Sequence, residues 1–352
     1  MNVGFIGLGH MGRPMSANIL AAGHDLVVHD VRPEAAAQLL AVGATWAASP
    51  RETGAGRDVV ITMLPTPQNV ANVLLGPDGL LDGLAPGAVW ADMSTSVPEV
   101  ADRVRALAGP RQVAVLDAPV SGMAASAKAG TLQIFVGGET AAYQRIRPLL
   151  EAMGDPGRIL HVGGNGAGYT VKLMINLLWF GHLVATAEVL TIGTRAGVDL
   201  ATLRQCLLAS PAASNFLERD VLSVLARGDY DDSFALALAC KDLGLAVDLA
   251  RQTGVPAEVS ALVEQIYRRA RAQYGDHGGE MLPIKLFEDL TSTPSGCPRS
   301  EHAAAATRAC HRDHARRAPA FTERLADLAL ALGAGGRGAG ARGVRRDAAA
   351  AG

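Results

Sequence analysis

The chain has 352 residues, a formal net charge of −2 and 49% apolar residues, as in a soluble globular protein with room for two domains. So even a charge balance offers no general basic surface for nucleic acid. Four cysteines without a CxxC pair, and an N-terminus that enters a strand-like run at once, point to a reducing cytoplasm rather than to secretion.

Val3 to Ile6 reads as a short buried strand, followed by Gly7-Leu8-Gly9-His10-Met11-Gly12 and a helical pattern through Ala22. Strand, GxGxxG and helix is the arrangement in which backbone N–H groups and a helix N-terminus meet a pyrophosphate. In that reading Gly7 makes the tight turn, Gly9 leaves room for the phosphates, and Gly12 lets helix and strand pack closely. Leu26 to His29 is the second strand. It ends in Asp30, at the spacing of an acid that binds the adenosine ribose. A carboxylate there accepts from both ribose hydroxyls and repels a 2′-phosphate, which favours NAD; Arg32, two residues on, leaves NADP open.

Strand-like runs recur at 58–64, 89–93, 113–116 and 132–136, separated by helical segments. This alternation predicts an α/β fold with a Rossmann-type, doubly wound, mostly parallel sheet over residues 1–162. Ligands of such sheets sit beyond the strand C-termini, where Leu64-Pro65-Thr66, Ser94-Thr95 and Pro119-Val120-Ser121-Gly122 fall. The last loop offers a hydroxyl and free N–H groups to a small carboxylate. Read alone, Ser121 is more often a plain turn residue.

From Gly163 to Glu188 a glycine-rich turn leads into a long apolar segment without proline. Lys172 and Asn176 are four apart and share one helix face. Apolar residues from Leu173 to Phe180 surround them, which predicts a buried interdomain helix. Asn176, His182 and Glu188 interrupt it too often for a lipid span. By itself Lys172 has the simpler reading of a snorkelling surface lysine. Helical patterns follow at 190–196, 200–209, 214–226, 236–252 and 257–274, giving an all-α domain over residues 163–291. Lys241 stands inside one of these apolar helices, either paired with a neighbouring acid or facing a ligand. After Thr293-Pro294-Ser295-Gly296 the composition turns to Arg, Ala and Gly. Residues 292–352 therefore read as a largely disordered tail with one helical run at 321–332. Cys297, His302, Cys310, His311 and His314 match no common zinc spacing, and no metal site is expected.

The stretches GFIGLGHMGRPM (4–15), MLPTPQNV (63–70), DMSTSVP (92–98), DAPVSGMAASAKAGTL (117–132), GNGAGYTVKLMIN (164–176) and KDLGLA (241–246) are, together, specific. In their order and spacing the chain resembles the β-hydroxyacid dehydrogenase family, which includes 3-hydroxyisobutyrate dehydrogenase and tartronate semialdehyde reductase, over about residues 1–290. The resemblance implies that Gly7, Gly9, Met11, Gly12 and Asp30 hold the adenosine and pyrophosphate of NAD, with NADP open. It puts Leu64, Pro65, Asn69 and Thr95 on the nicotinamide side, with Lys241 reaching back to the cofactor from the helical domain. Ser121 and Gly122 would grip a substrate carboxylate, Asn176 would orient the substrate, and Lys172 would be the general acid/base.

The function so implied is hydride transfer between nicotinamide and a small 3-hydroxyacid or its semialdehyde. The expected enzyme is cytoplasmic and a homodimer or homotetramer through its helical domain, with neither nucleic acid nor a membrane as partner. A lysine base requires a pKa lowered from about 10.4, as burial and a nearby cation produce. Met123 stands where the family usually has a second glycine after Ser121-Gly122, which leaves the substrate open, and the tail has no family counterpart. Two other readings compete. An imine reductase of the same architecture is disfavoured by Lys172, because those relatives commonly carry aspartate or tyrosine there. A non-catalytic nucleotide-binding regulatory module has no need of Lys172, Asn176 and Ser121 together.

Overall fold

Among the described residues nine strands form one sheet: β1 (Asn2–Ile6), β2 (Asp25–His29), β3 (Thr45–Trp46), β4 (Val59–Thr62), β5 (Val89–Asp92), β6 (Ala114–Asp117), β7 (Val120–Ser121), β8 (Leu132–Gly138) and β9 (Gly154–Gly163). A computed structural model describes residues 1–231 and 234–292. The expected linker at 293–296, the helical run at 321–332 and the tail cysteines and histidines lie outside the described residues.

The strand order is β3-β2-β1-β4-β5-β6-β8, with β7 continuing β6 along one side of β8 and β9 on the other. β1 to β6 are parallel. Apolar runs on these strands alternate between two cores, one on each face of the sheet. Val3, Phe5, Val59 and Ile61 pack on one side with Met15 and Ile19; Ile6, Val60 and Trp90 pack on the other with Val70 and Leu74.

The sheet departs from the sequence reading at its far edge. β8 runs antiparallel to β6 and β7, because a seven-residue helix (Met123–Ala129) turns the chain back instead of carrying it across the sheet. β9 was not anticipated, since Gly154-Asp155-Pro156-Gly157 reads as a turn. As the edge strand it pairs with β8 alone, where a proline costs no ladder bond.

The helical half is built on one 29-residue helix, Ala167–Arg195, which absorbs the run at 190–196. Its first turn sits directly on the sheet. A Cβ at Gly168 would lie 2.4 Å from the Phe135 carbonyl oxygen and 2.6 Å from that of Asp117, so only glycine allows this approach. Farther along, Phe180, Leu183, Val184 and Ala187 pack with Phe216, Leu236, Leu243, Tyr267 and Ile284.

Burial on every face, as the sequence suggested, is not what one chain provides. Met174, Leu178, Val189 and Ile192 are 41%, 62%, 44% and 67% exposed, because the neighbouring helices cover only one side. By length and composition alone this helix could cross a membrane. Its contacts with β8 and with the helices Leu236–Gln252, Glu258–Tyr274 and Leu282–Thr291 are those of a globular core.

Two further corrections concern short helices. The run at 214–226 is a π-helical turn, Phe216–Asp220, followed by Leu222–Arg227, and the consecutive Phe216 and Leu217 are both buried. Leu282–Thr291 escaped the sequence reading because Pro283 looks like a breaker, yet it occupies the first turn, where proline is tolerated.

Candidate active site

The glycine loop has the backbone geometry its spacing suggests. Gly7 has φ +100°, and a Cβ there would stand 2.3 Å from the Met63 carbonyl oxygen. A Cβ at Gly12 would stand 1.8 Å from the Gly7 carbonyl oxygen, whereas Gly9 faces open space. Asp30 closes the loop from the side: its carboxylate accepts from the Leu8 N–H at 2.7 Å and from the Arg32 N–H at 2.9 Å. The exposed Arg32 guanidinium is 3.9 Å from the same carboxylate.

These residues border a cavity of about 700 Å³. Gly7, Gly9, Met11, Asp30, Leu64, Pro65, Asn69, Thr95 and Lys241 all line it, as do Phe234, Leu238 and Asp242, which the sequence reading passed over. Gly12 does not, because its role is packing. The open space at Gly9, the braced Asp30 and a buried, unpartnered Arg13 Nε beside the loop fit a dinucleotide.

The polar contacts by which the helical half reaches this cavity come from two neighbouring residues of the helix Leu236–Gln252. Lys241 Nζ donates to the Thr95 carbonyl at 3.2 Å and pairs with Asp242 at 2.9 Å. Asp242 is only 1% exposed and accepts from Asn176 Nδ2 at 2.7 Å. Lys172 shares its helix face with Asn176 and feels the same carboxylate. Desolvation lowers its pKa from the ordinary 10.5; the negative charges of Asp242 and Glu280 oppose this, and Lys241 adds to it.

Lys172, Asn176, Ser121 and Gly122 lie outside the cavity lining, and Asn176 meets it only through Asp242. Ser121 ends β7, opposite Gln133 on β8. Gly122 (φ +124°) and Met123 (φ +59°) both hold left-handed backbone, which glycine adopts freely and methionine does not.

Sequence reasoning also missed three buried groups behind the site. Asp92 and Asp117 end adjacent strands in register, and Thr62 ends the next. Asp117 accepts from the Gly166 and Tyr169 N–H groups at 2.7 and 3.0 Å; burial nevertheless raises its pKa to about 6. Asp92 is fully buried, and burial raises its pKa against hydrogen bonds from Thr62, Tyr169 and Ser94. An acid closing an apolar strand was the available signal, and two of the quoted motifs begin with one.

Known proteins agree with this architecture. Residues 2–164 match the family model for the NAD binding domain of 6-phosphogluconate dehydrogenase, and residues 166–287 that for the NAD-binding of NADP-dependent 3-hydroxyisobutyrate dehydrogenase. An NAD-dependent L-serine dehydrogenase of Pseudomonas aeruginosa is 40% identical over 293 residues, covering 81% of this chain and 97% of that protein. A 3-hydroxyisobutyrate dehydrogenase of the same organism is 37% identical over 79% of this chain and 95% of its own length. The structure of Mycobacterium tuberculosis 3-hydroxyisobutyrate dehydrogenase with L-serine superposes with a TM-score of 0.75 at 33% identity, covering 81% of this chain and 98% of that one. The chain therefore belongs to the β-hydroxyacid dehydrogenase family, NAD(P)-dependent oxidoreductases of small hydroxyacids and their semialdehydes.

Proposed function

We propose that this protein transfers a hydride between NAD and a small 2-substituted 3-hydroxyacid, of the 3-hydroxyisobutyrate or serine kind, or its semialdehyde. Lys172 is the general acid/base. The observation that carries this reading is a desolvated lysine one turn from Asn176, which donates to Asp242 on the cavity wall, the charge of the same carboxylate acting on the lysine. When bound, the nicotinamide ring supplies the hydride acceptor. Neutral Lys172 takes the hydroxyl proton during oxidation, and its ammonium returns a proton to the oxygen during reduction. Asn176 orients the hydroxyl, while the Ser121 hydroxyl and the backbone at Gly122 hold the carboxylate. The exposed apolar residues of the long helix support a dimer or tetramer joined through the helical half.

NADH formation over a panel containing 3-hydroxyisobutyrate and L-serine tests the reading. Turnover of cyclic imines with no turnover of any hydroxyacid would instead select the imine reductase reading. With the best substrate, kcat/KM for NAD is expected to exceed that for NADP. Asp30→Ala should reduce this preference by roughly 10- to 100-fold, the worth of a charge-assisted hydrogen bond. A parent enzyme that prefers NADP would show that Arg32 outweighs the carboxylate.

The pH dependence follows from the sign of the Lys172 shift. Oxidation needs the neutral amine, so kcat/KM should rise with pH and level off below the ordinary lysine range. Asp242 is a negative charge that holds the proton on Lys172. Asp242→Asn should therefore move the rising limb to lower pH. A limb that stays in place or moves upward would detach Asp242 from the base.

A further inference from the structure

We propose that Tyr169 and Asp92 are positioning residues that fix the distance between Lys172 and the nicotinamide-side wall of the cavity; this rests on the reading of Lys172 given above. Asp92 closes β5 and is entirely buried. Its Oδ1 accepts from the Thr62 hydroxyl at 2.5 Å and from the Ser94 hydroxyl at 2.7 Å. Ser94 Oγ in turn accepts from the Leu64 N–H at 2.8 Å, and Leu64 lines the cavity with Thr95, the residue after Ser94. The Trp90 indole N–H donates to Thr62 Oγ1 at 3.0 Å and fixes the other end of the chain of bonds.

Asp92 Oδ2 faces the opposite way and accepts from the Tyr169 hydroxyl at 2.6 Å. Tyr169 is fully buried in the first turn of the long helix, three residues before Lys172 and therefore on the same side of it. One carboxylate is thus bonded at one oxygen to the loops that shape the cofactor cavity and at the other to the helix that carries the base. Such a group tolerates little play, because a buried carboxylate that loses a donor is costly and short charge-assisted bonds are stiff. A ring that merely filled space would need no hydroxyl. Here the hydroxyl is the only side-chain hydrogen bond between the long helix and Asp92 among the described residues.

The test is Tyr169→Phe in the full-length enzyme with NAD and the best 3-hydroxyacid of the panel. Loss of the tether should lower kcat on the order of 10- to 100-fold, the usual cost of a misplaced reacting group, while KM for NAD stays within about twofold. The primary deuterium isotope effect on kcat, with substrate deuterated at the carbinol carbon, should rise as hydride transfer becomes slower than product release. Ser94→Ala interrupts the link from Leu64 without touching Tyr169 and should give the same pattern more weakly.

Parental kcat and isotope effect in folded Tyr169→Phe overturn the proposal, even if the melting temperature falls, because that pattern belongs to a purely structural bond. Should Tyr169→Phe fail to fold, Ser94→Ala decides by the same criterion. Lys172→Ala run in parallel separates the two readings. A parental rate there overturns the assignment of Lys172 and this proposal with it. A crippled Lys172→Ala beside a parental Tyr169→Phe overturns the tether alone.

Discussion

Lys172→Ala is expected to lower kcat on the order of 10²- to 10⁴-fold, the range for removal of a general acid/base. NAD affinity should survive, because the glycine loop and Asp30 are braced by bonds within the sheet half, which the substitution leaves in place. Lys172→Arg should restore little. A guanidinium stays protonated throughout the accessible pH range and cannot accept the hydroxyl proton. Steady-state rates, with NAD binding measured separately, check this. A few-fold effect in both variants would make Lys172 a partly buried structural lysine and remove the acid/base from the proposed function.

Asp117→Ala should be the most damaging substitution for stability. It strips the Gly166 and Tyr169 N–H groups of their acceptor where water cannot replace it, at about 1–3 kcal/mol for each unmet donor. The melting temperature, and activity recovered after heating, measure the loss. Asp117 also makes a testable contribution to the pH dependence of stability. Its folded pKa, about 6, lies above the unfolded 3.8, so the unfolded chain ionises first as pH rises. This group therefore withdraws about 3 kcal/mol of stability between about pH 4 and pH 6, and Asp92, raised by burial in the same direction, adds to it. Asp117→Asn should flatten that slope. An unchanged slope would place the titration elsewhere.

The nucleotide-binding half was readable because its signals are local. The glycines at 7, 9 and 12 act through backbone sterics that the spacing alone encodes, and Asp30 closes the next strand at a fixed distance along the chain. What could not be read are the pairs brought together across long separations. Asp242 meets Asn176 from 66 residues away, and Lys241 meets Thr95 from 146. The antiparallel turn at β8 was hidden because its apolar run is the same in either direction. The long helix was recognised, but its uncovered face was not. Periodicity tells that Leu178 and Ile192 are apolar, not whether the rest of the chain covers them.

The long helix carries no capping side chain of its own, nor an acid in its first turn. Its cap is Asp117, 49 residues earlier, on a strand that leaves the ribosome first. During synthesis the sheet can therefore be complete, with its acceptor already in place, before the helix arrives to use it. The order of the two halves along the chain thus puts the acceptor ahead of the helix end that it caps.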